Sequence, residues 1–133
     1  IFHKGDLYMQ TAKQGNATYQ KALEHYSRGN CKKLLKDLKG AIQEFNKAIE
    51  FNPKFAEAYY KRGNTKLLLD DISGAEIDYD RAIELNPKLA EAFNNRALLK
   101  RTMGDEDGSR SDFFEAGKLG HFNALHIHKE YCR

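Results

Sequence analysis

The stretch Ala56–Leu89, AEAYYKRGNTKLLLDDISGAEIDYDRAIELNPKL, decides the architecture because it recurs, with changes, on both sides of itself. Ala41, Ala75 and Ser109 lie 34 residues apart, since 75 − 41 and 109 − 75 both give 34. The same interval relates Ala48, Ala82 and Ala116, then Phe45, Tyr79 and Phe113, then Arg28, Arg62 and Arg96, and it separates Pro53 from Pro87. A sustained period of that length predicts stacked supersecondary units rather than one closed globule.

Inside the unit the pattern reads as two short helices. From Ala56 to about Leu69, Tyr59, Leu67 and Leu68 share a helical stripe. Asp70-Asp71 interrupts it, and Asp71 is placed to cap a second helix whose apolar face is Ile72, Ala75, Tyr79, Ala82 and Ile83. Asn86-Pro87 ends that helix, because the residue before proline avoids the α region and proline has no N–H to donate. Gly63, Ala75 and Ala82 are small enough to let the two backbones approach, with Tyr59 and Tyr79 filling the flanks. The same reading predicts helix pairs near 18–35 and 38–51, 56–69 and 72–85, and 90–103 and 106–119. Gly40, Gly74 and Gly108 each follow a capping aspartate by three residues, which suggests tight helix approach or a loosened first turn.

The chain resembles the tetratricopeptide repeat (TPR) family. Tyr59, Gly63, Ala75, Tyr79, Ala82 and Pro87 match the family's helix–turn–helix pattern in order. The preceding unit matches through Gly29, Ala41, Phe45, Ala48 and Pro53, with His25 at the usual aromatic position. The following unit matches through Phe93, Ala97, Gly104, Phe113 and Ala116, with Ser109 and Gly120-His121 in place of Ala and Pro. The resemblance implies an all-α, right-handed superhelical solenoid of antiparallel helix pairs. The expected divisions are an N-terminal extension or linker (1–17), three repeats (18–54, 55–89 and 90–120) and a C-terminal capping helix (121–133). Gly5 and Gly15-Asn16 argue against a long helix in the extension.

Composition narrows the function. The 133 residues are 41% hydrophobic and 31% charged, with a net charge of +3, which suits short paired helices and does not demand nucleic acid. Arg28, Lys32, Lys33, Lys36 and Lys39 crowd the first unit, with Asp37 the only acid nearby in sequence. Asp70, Asp71, Glu76, Asp78, Asp80 and Glu84 collect in the second, and both groups read as solvated faces. Cys31 and Cys132 have no CxxC spacing and read as reduced thiols, so a cytoplasmic location is favoured. No apolar run approaches the length of a membrane span, and no membrane partner is expected. The chain begins with Ile1, which suggests a piece of a longer protein or a processed product.

No nucleophile–base motif, phosphate loop or HExxH is present, so a non-catalytic chain without cofactor or small-molecule substrate is expected. His121, His126 and His128 are separated by five and two residues, which does not place metal ligands one helical turn apart.

What remains is the inner face of the first helices, the peptide site that the resemblance implies. Its candidate residues are Tyr26, Asn30 and Lys33 in the first repeat, Tyr60, Lys61 and Asn64 in the second, and Asn94, Asn95 and Arg101 in the third. Amides at such positions donate to and accept from an extended peptide backbone, and tyrosines add flat area with a polar tip. A subclass of the family clamps a C-terminal carboxylate of heat-shock chaperones with two lysines, two asparagines and an arginine. Here Tyr26 stands at the first lysine position, and Lys61, Glu91 and Asn95 replace the later asparagine, lysine and arginine, so that clamp is not expected. The predicted function is a scaffold or adaptor binding a partner's peptide segment, acidic or C-terminal, as a monomer or weak self-associating chain. The alternatives are nucleic-acid association through the basic first repeat and a purely architectural role.

Overall fold

The computed structural model describes residues 4–120, with side chains described from Gly15 onward. Six helices follow one another: α1 (Lys4–Leu34), α2 (Leu38–Phe51), α3 (Ala56–Leu68), α4 (Ile72–Leu85), α5 (Ala90–Thr102) and α6 (Glu106–Lys118). The described residues contain no strand. The helices pack as α1 with α2, α3 with α4, and α5 with α6, the antiparallel pairing that three-residue connections impose. This is the TPR-like solenoid of helix pairs. Two compact units are distinguished, residues 1–55 and residues 56–133. The predicted capping helix, with His121, His126, His128 and Cys132, lies outside the described residues.

Helix bounds agree with the sequence reading to within one residue, except in α1. That helix begins at Lys4, not near Thr18, and runs through Gly15-Asn16 for 31 residues. Glycine costs about 1 kcal/mol against alanine and asparagine up to about 0.7 kcal/mol, and neither removes a hydrogen bond as proline would. Nothing crowds Gly15, whose Cβ position is open.

Each turn between paired helices is built the same way. Asp37, Asp71 and Asp105 accept from the backbone N–H of Gly40, Gly74 and Gly108 at 3.0, 3.0 and 2.9 Å. Their own N–H groups donate back to the carbonyls of Lys32, Lys66 and Lys100, each at 2.9 Å, closing a Schellman motif. That motif demands a left-handed residue, supplied by Lys36 (φ 67°), Asp70 (φ 61°) and Gly104 (φ 85°). The recurrent glycine at the third helical position is explained differently from the expectation. A Cβ on Gly40 or Gly74 would sit 2.2 or 2.3 Å from the capping carboxylate, so the glycine makes room for the cap rather than for another helix.

Helix approach relies on Gly29 and Gly63. A Cβ on Gly29 would lie 2.6 Å from the Phe45 ring, and one on Gly63 would lie 3.0 Å from the Tyr79 ring. Ala41, Phe45 and Ala48 are fully buried in the first unit. In the second, Ala75, Tyr79 and Leu99 form one cluster and Phe93, Ala97, Phe113 and Ala116 another. Leu99, only 2% exposed, thereby docks α5 onto α4. Leu68, placed on the apolar stripe by the sequence reading, is instead 61% exposed.

Charge also ties the pairs together: Asp70, Asp71, Asp80 and Glu84 are exposed as a solvated flank would be, but Asp78 is not. Asp78 is 1% exposed and is gripped by Arg62 through two hydrogen bonds of 2.9 and 2.7 Å, with Lys66 Nζ at 3.1 Å. Asp112 repeats the arrangement with Arg96, at 2.7 Å twice, and Lys100 at 3.0 Å. This fork holds the Arg96 guanidinium above its usual pKa, the Asp112 hydrogen bonds being the main cause. In the first pair Glu44 takes the acid's place, with His25 Nδ1 at 2.8 Å and Lys32 Nζ at 3.4 Å.

Candidate functional site

Three of the predicted binding residues in the second unit meet in one polar network. Tyr60 and Asn64 are one turn apart on α3, and Asn95 faces them from α5. Asn95 Nδ2 donates to Asn64 Oδ1 at 2.8 Å and to the Tyr60 hydroxyl at 3.2 Å. Tyr79, on α4, donates its hydroxyl to the same Asn64 Oδ1. Its ring lies against that of Tyr60, with centroids 6.2 Å apart. Burial, and next the neighbouring Tyr60, push the Tyr79 phenol far above its ordinary pKa, so it remains a donor at any physiological pH.

The carbonyl of Asn64 is thus doubly occupied, while its Nδ2 donates to nothing among the described residues. Asn94 completes the row by donating to Asn95 Oδ1 at 3.3 Å. Its own Oδ1 is buried and has no hydrogen-bond partner among the described residues. A buried carbonyl left without a donor is costly. What the row offers a ligand is therefore the amide donor of Asn64, since the Asn94 carbonyl is closed off from solvent.

Lys61 is half-buried, its Nζ 5.8 Å from the centre of the Tyr60 ring. Arg101 is exposed, and its guanidinium lies 5.9 Å from the centre of the Phe113 ring on α6, apart from the asparagine row.

In the first unit Tyr26 is half-buried, tilted against Phe45 at 6.0 Å and Phe55 at 4.8 Å, so its ring packs as much as it lines a surface. Asn30 and Lys33 are half-buried. The two asparagines 34 positions apart, Asn30 and Asn64, differ in surroundings, because Phe45 stands where the second pair has Tyr79. Without that hydroxyl, Asn30 makes no side-chain hydrogen bond among the described residues. Sequence reasoning assigned Tyr79 to packing alone. The available signal was the single hydroxyl at a position otherwise filled by Phe45 and Phe113.

The comparisons with known proteins fit this construction. A family model described as TPR repeat matches residues 29–70, and one described as tetratricopeptide repeat matches residues 56–89. Residues 29–89 thus match tetratricopeptide-repeat models. No curated protein matches the sequence significantly. Among solved structures, the TPR fold is shared with the first TPR of Spaghetti (RPAP3), bound to the HSP90 peptide SRMEEVD. That structure is 21% identical at a TM-score of 0.78, covering 84% of this chain and 90% of that one. The Arabidopsis OM64 TPR domain is 20% identical at a TM-score of 0.77, covering 86% of this chain and 98% of that one. No helix among the described residues is long and apolar enough to cross a membrane.

Proposed function

We propose that the chain is a non-catalytic protein-interaction module that holds an extended peptide segment of a partner on the inner faces of its first helices. TPR arrays typically serve protein interaction, and the RPAP3 domain of the same fold carries a peptide. The observation that carries the reading is the Tyr60–Asn64–Asn95 row with its unused amide donor, Asn64 Nδ2. An extended backbone supplies carbonyl acceptors for such a donor. The network fixes the asparagines before any ligand arrives, so little ordering entropy opposes binding. In the first unit, Asn30 with Tyr26 and Lys33 offers a comparable face. Lysines at 33 and 61 and Arg101 favour an acidic segment, although the departures from the chaperone clamp argue for a different register of contacts.

Fluorescence anisotropy with labelled SRMEEVD and a charge-reversed counterpart, in which Glu and Asp become Lys, tests the proposal. The acidic peptide is expected to bind about tenfold more tightly. Asn64→Ala and Asn30→Ala should each weaken it while leaving the helical circular dichroism unchanged. Equal binding of the two peptides overturns the acidic preference, and indifference to both alanine variants overturns the site.

A further inference from the structure

The turn after α1 presents a feature that the peptide-binding face does not use. Leu34 and Leu35 are 82% and 80% exposed, the most exposed large apolar side chains described. They stand at a helix end made rigid by the Schellman hydrogen bonds Lys36 N–H to Lys33 O (3.0 Å) and Asp37 N–H to Lys32 O (2.9 Å). Lys36, in the left-handed conformation, and Lys39 are exposed beside them. The one acid in the turn, Asp37, directs its carboxylate back onto Gly40 N at 3.0 Å as a cap. Lys32 is turned toward Glu44 at 3.4 Å. The tip is therefore two projecting leucines beside exposed ammonium groups.

We infer that the Leu34-Leu35 tip, with Lys36 and Lys39, is a docking surface for an anionic lipid bilayer. Lipid headgroups receive protruding side chains without a preformed cavity, and anionic headgroups pair with lysine. A peptide ligand, by contrast, needs a concave seat to bury its own apolar groups, and both leucines project into solvent. Charge gives an internal contrast. The turn after α3 also exposes leucine, Leu68 at 61% and Leu69 at 39%, but beside Asp70 and Asp71, which anionic headgroups repel. This surface contact departs from the sequence expectation of no membrane partner, and it needs no spanning helix.

Co-sedimentation of the full chain with vesicles of phosphatidylcholine alone, or with added phosphatidylserine, tests the inference. Binding is expected only with phosphatidylserine and should fall as salt is added. Leu34→Ser with Leu35→Ser should reduce it by about tenfold, as should Lys36→Glu with Lys39→Glu. Leu68→Ser with Leu69→Ser should leave it unchanged, and circular dichroism checks that every variant is folded. Absence of binding to phosphatidylserine vesicles overturns the inference and turns the tip over to a protein partner. Binding that survives the Leu34→Ser, Leu35→Ser change overturns it equally. Because no peptide enters the assay, either failure leaves the peptide-binding proposal untouched.

Discussion

Glu44 and Asp78 stand at the same place in the first and second helix pairs, 34 residues apart, yet different cations reach them. In the second pair Tyr59 supplies a ring over which the Arg62 guanidinium lies at 5.3 Å, aimed as a fork at Asp78. In the first pair His25 occupies the aromatic position and is itself the partner of Glu44, stacked on Phe51 at 5.5 Å and 3°. Arg28, the counterpart of Arg62, is left exposed. One aromatic-to-imidazole change thus replaces a two-pronged guanidinium bond by a single contact and a longer lysine pair. A bidentate, buried arrangement is the stronger of the two.

The largest expected effect breaks the stronger side. Asp78→Ala leaves Arg62 and Lys66 without a counter-charge and should cost about 3 kcal/mol in urea denaturation. Glu44→Ala should cost about half as much, roughly 1.5 kcal/mol, since its partners are a histidine and a more exposed lysine. Equal losses at the two positions would dissolve the comparison.

Acidity sharpens it. The His25 hydrogen bond is the main reason that Glu44 titrates below its ordinary value of 4.5. A carboxylate whose folded pKa is depressed contributes stability above the unfolded value and loses it as pH falls through the folded one. The stability difference between wild type and Glu44→Gln should therefore be constant near neutrality and shrink as pH drops below about 4.5. A difference that grows in acid contradicts the assignment.

The next contrast is steric. Gly29→Ala forces a methyl against the buried Phe45 ring at 2.6 Å, and should cost about 1–2 kcal/mol despite alanine's better helix propensity. Gly63→Ala meets Tyr79 at 3.0 Å and the Asp78 Cβ at 3.2 Å, a milder clash that should cost less than Gly29→Ala. The third pair already carries Ala97 at this position, fully buried. The smallest effects concern the left-handed turn residues. Lys36→Gly should add about 1 kcal/mol, and Asp70→Gly less, because aspartate tolerates this conformation better than lysine. Thermal melting of the two variants side by side resolves the order.

Much of this was open to a reader of the sequence. The interval relating Ala41, Ala75 and Ser109 fixes the pairing of helices, and the aspartates before each second helix announce its start. The same interval also relates Lys32, Lys66 and Lys100, and Glu44, Asp78 and Asp112, but charged residues at a regular spacing suit a solvated face equally well. Only burial distinguishes the two. The early start of α1 was hidden because glycine and asparagine discourage a helix without forbidding it. Asn30 and Asn64 looked equivalent for a related reason: what separates them is one oxygen on a residue of the opposing helix, Tyr79 against Phe45. Spacing identifies neighbours, but not which lone pair is already taken.

The doubly occupied Asn64 carbonyl has a consequence for anyone lengthening this array by duplicating residues 56–89. The inserted copy would bring a lysine, the twin of Lys61, to the place now held by Asn95. An ammonium group can satisfy the same oxygen, but it carries a full charge to the edge of the Tyr60 ring where a neutral amide now sits. The seam between copies would become sensitive to ionic strength, and a neutral residue written into that one position would restore an uncharged join.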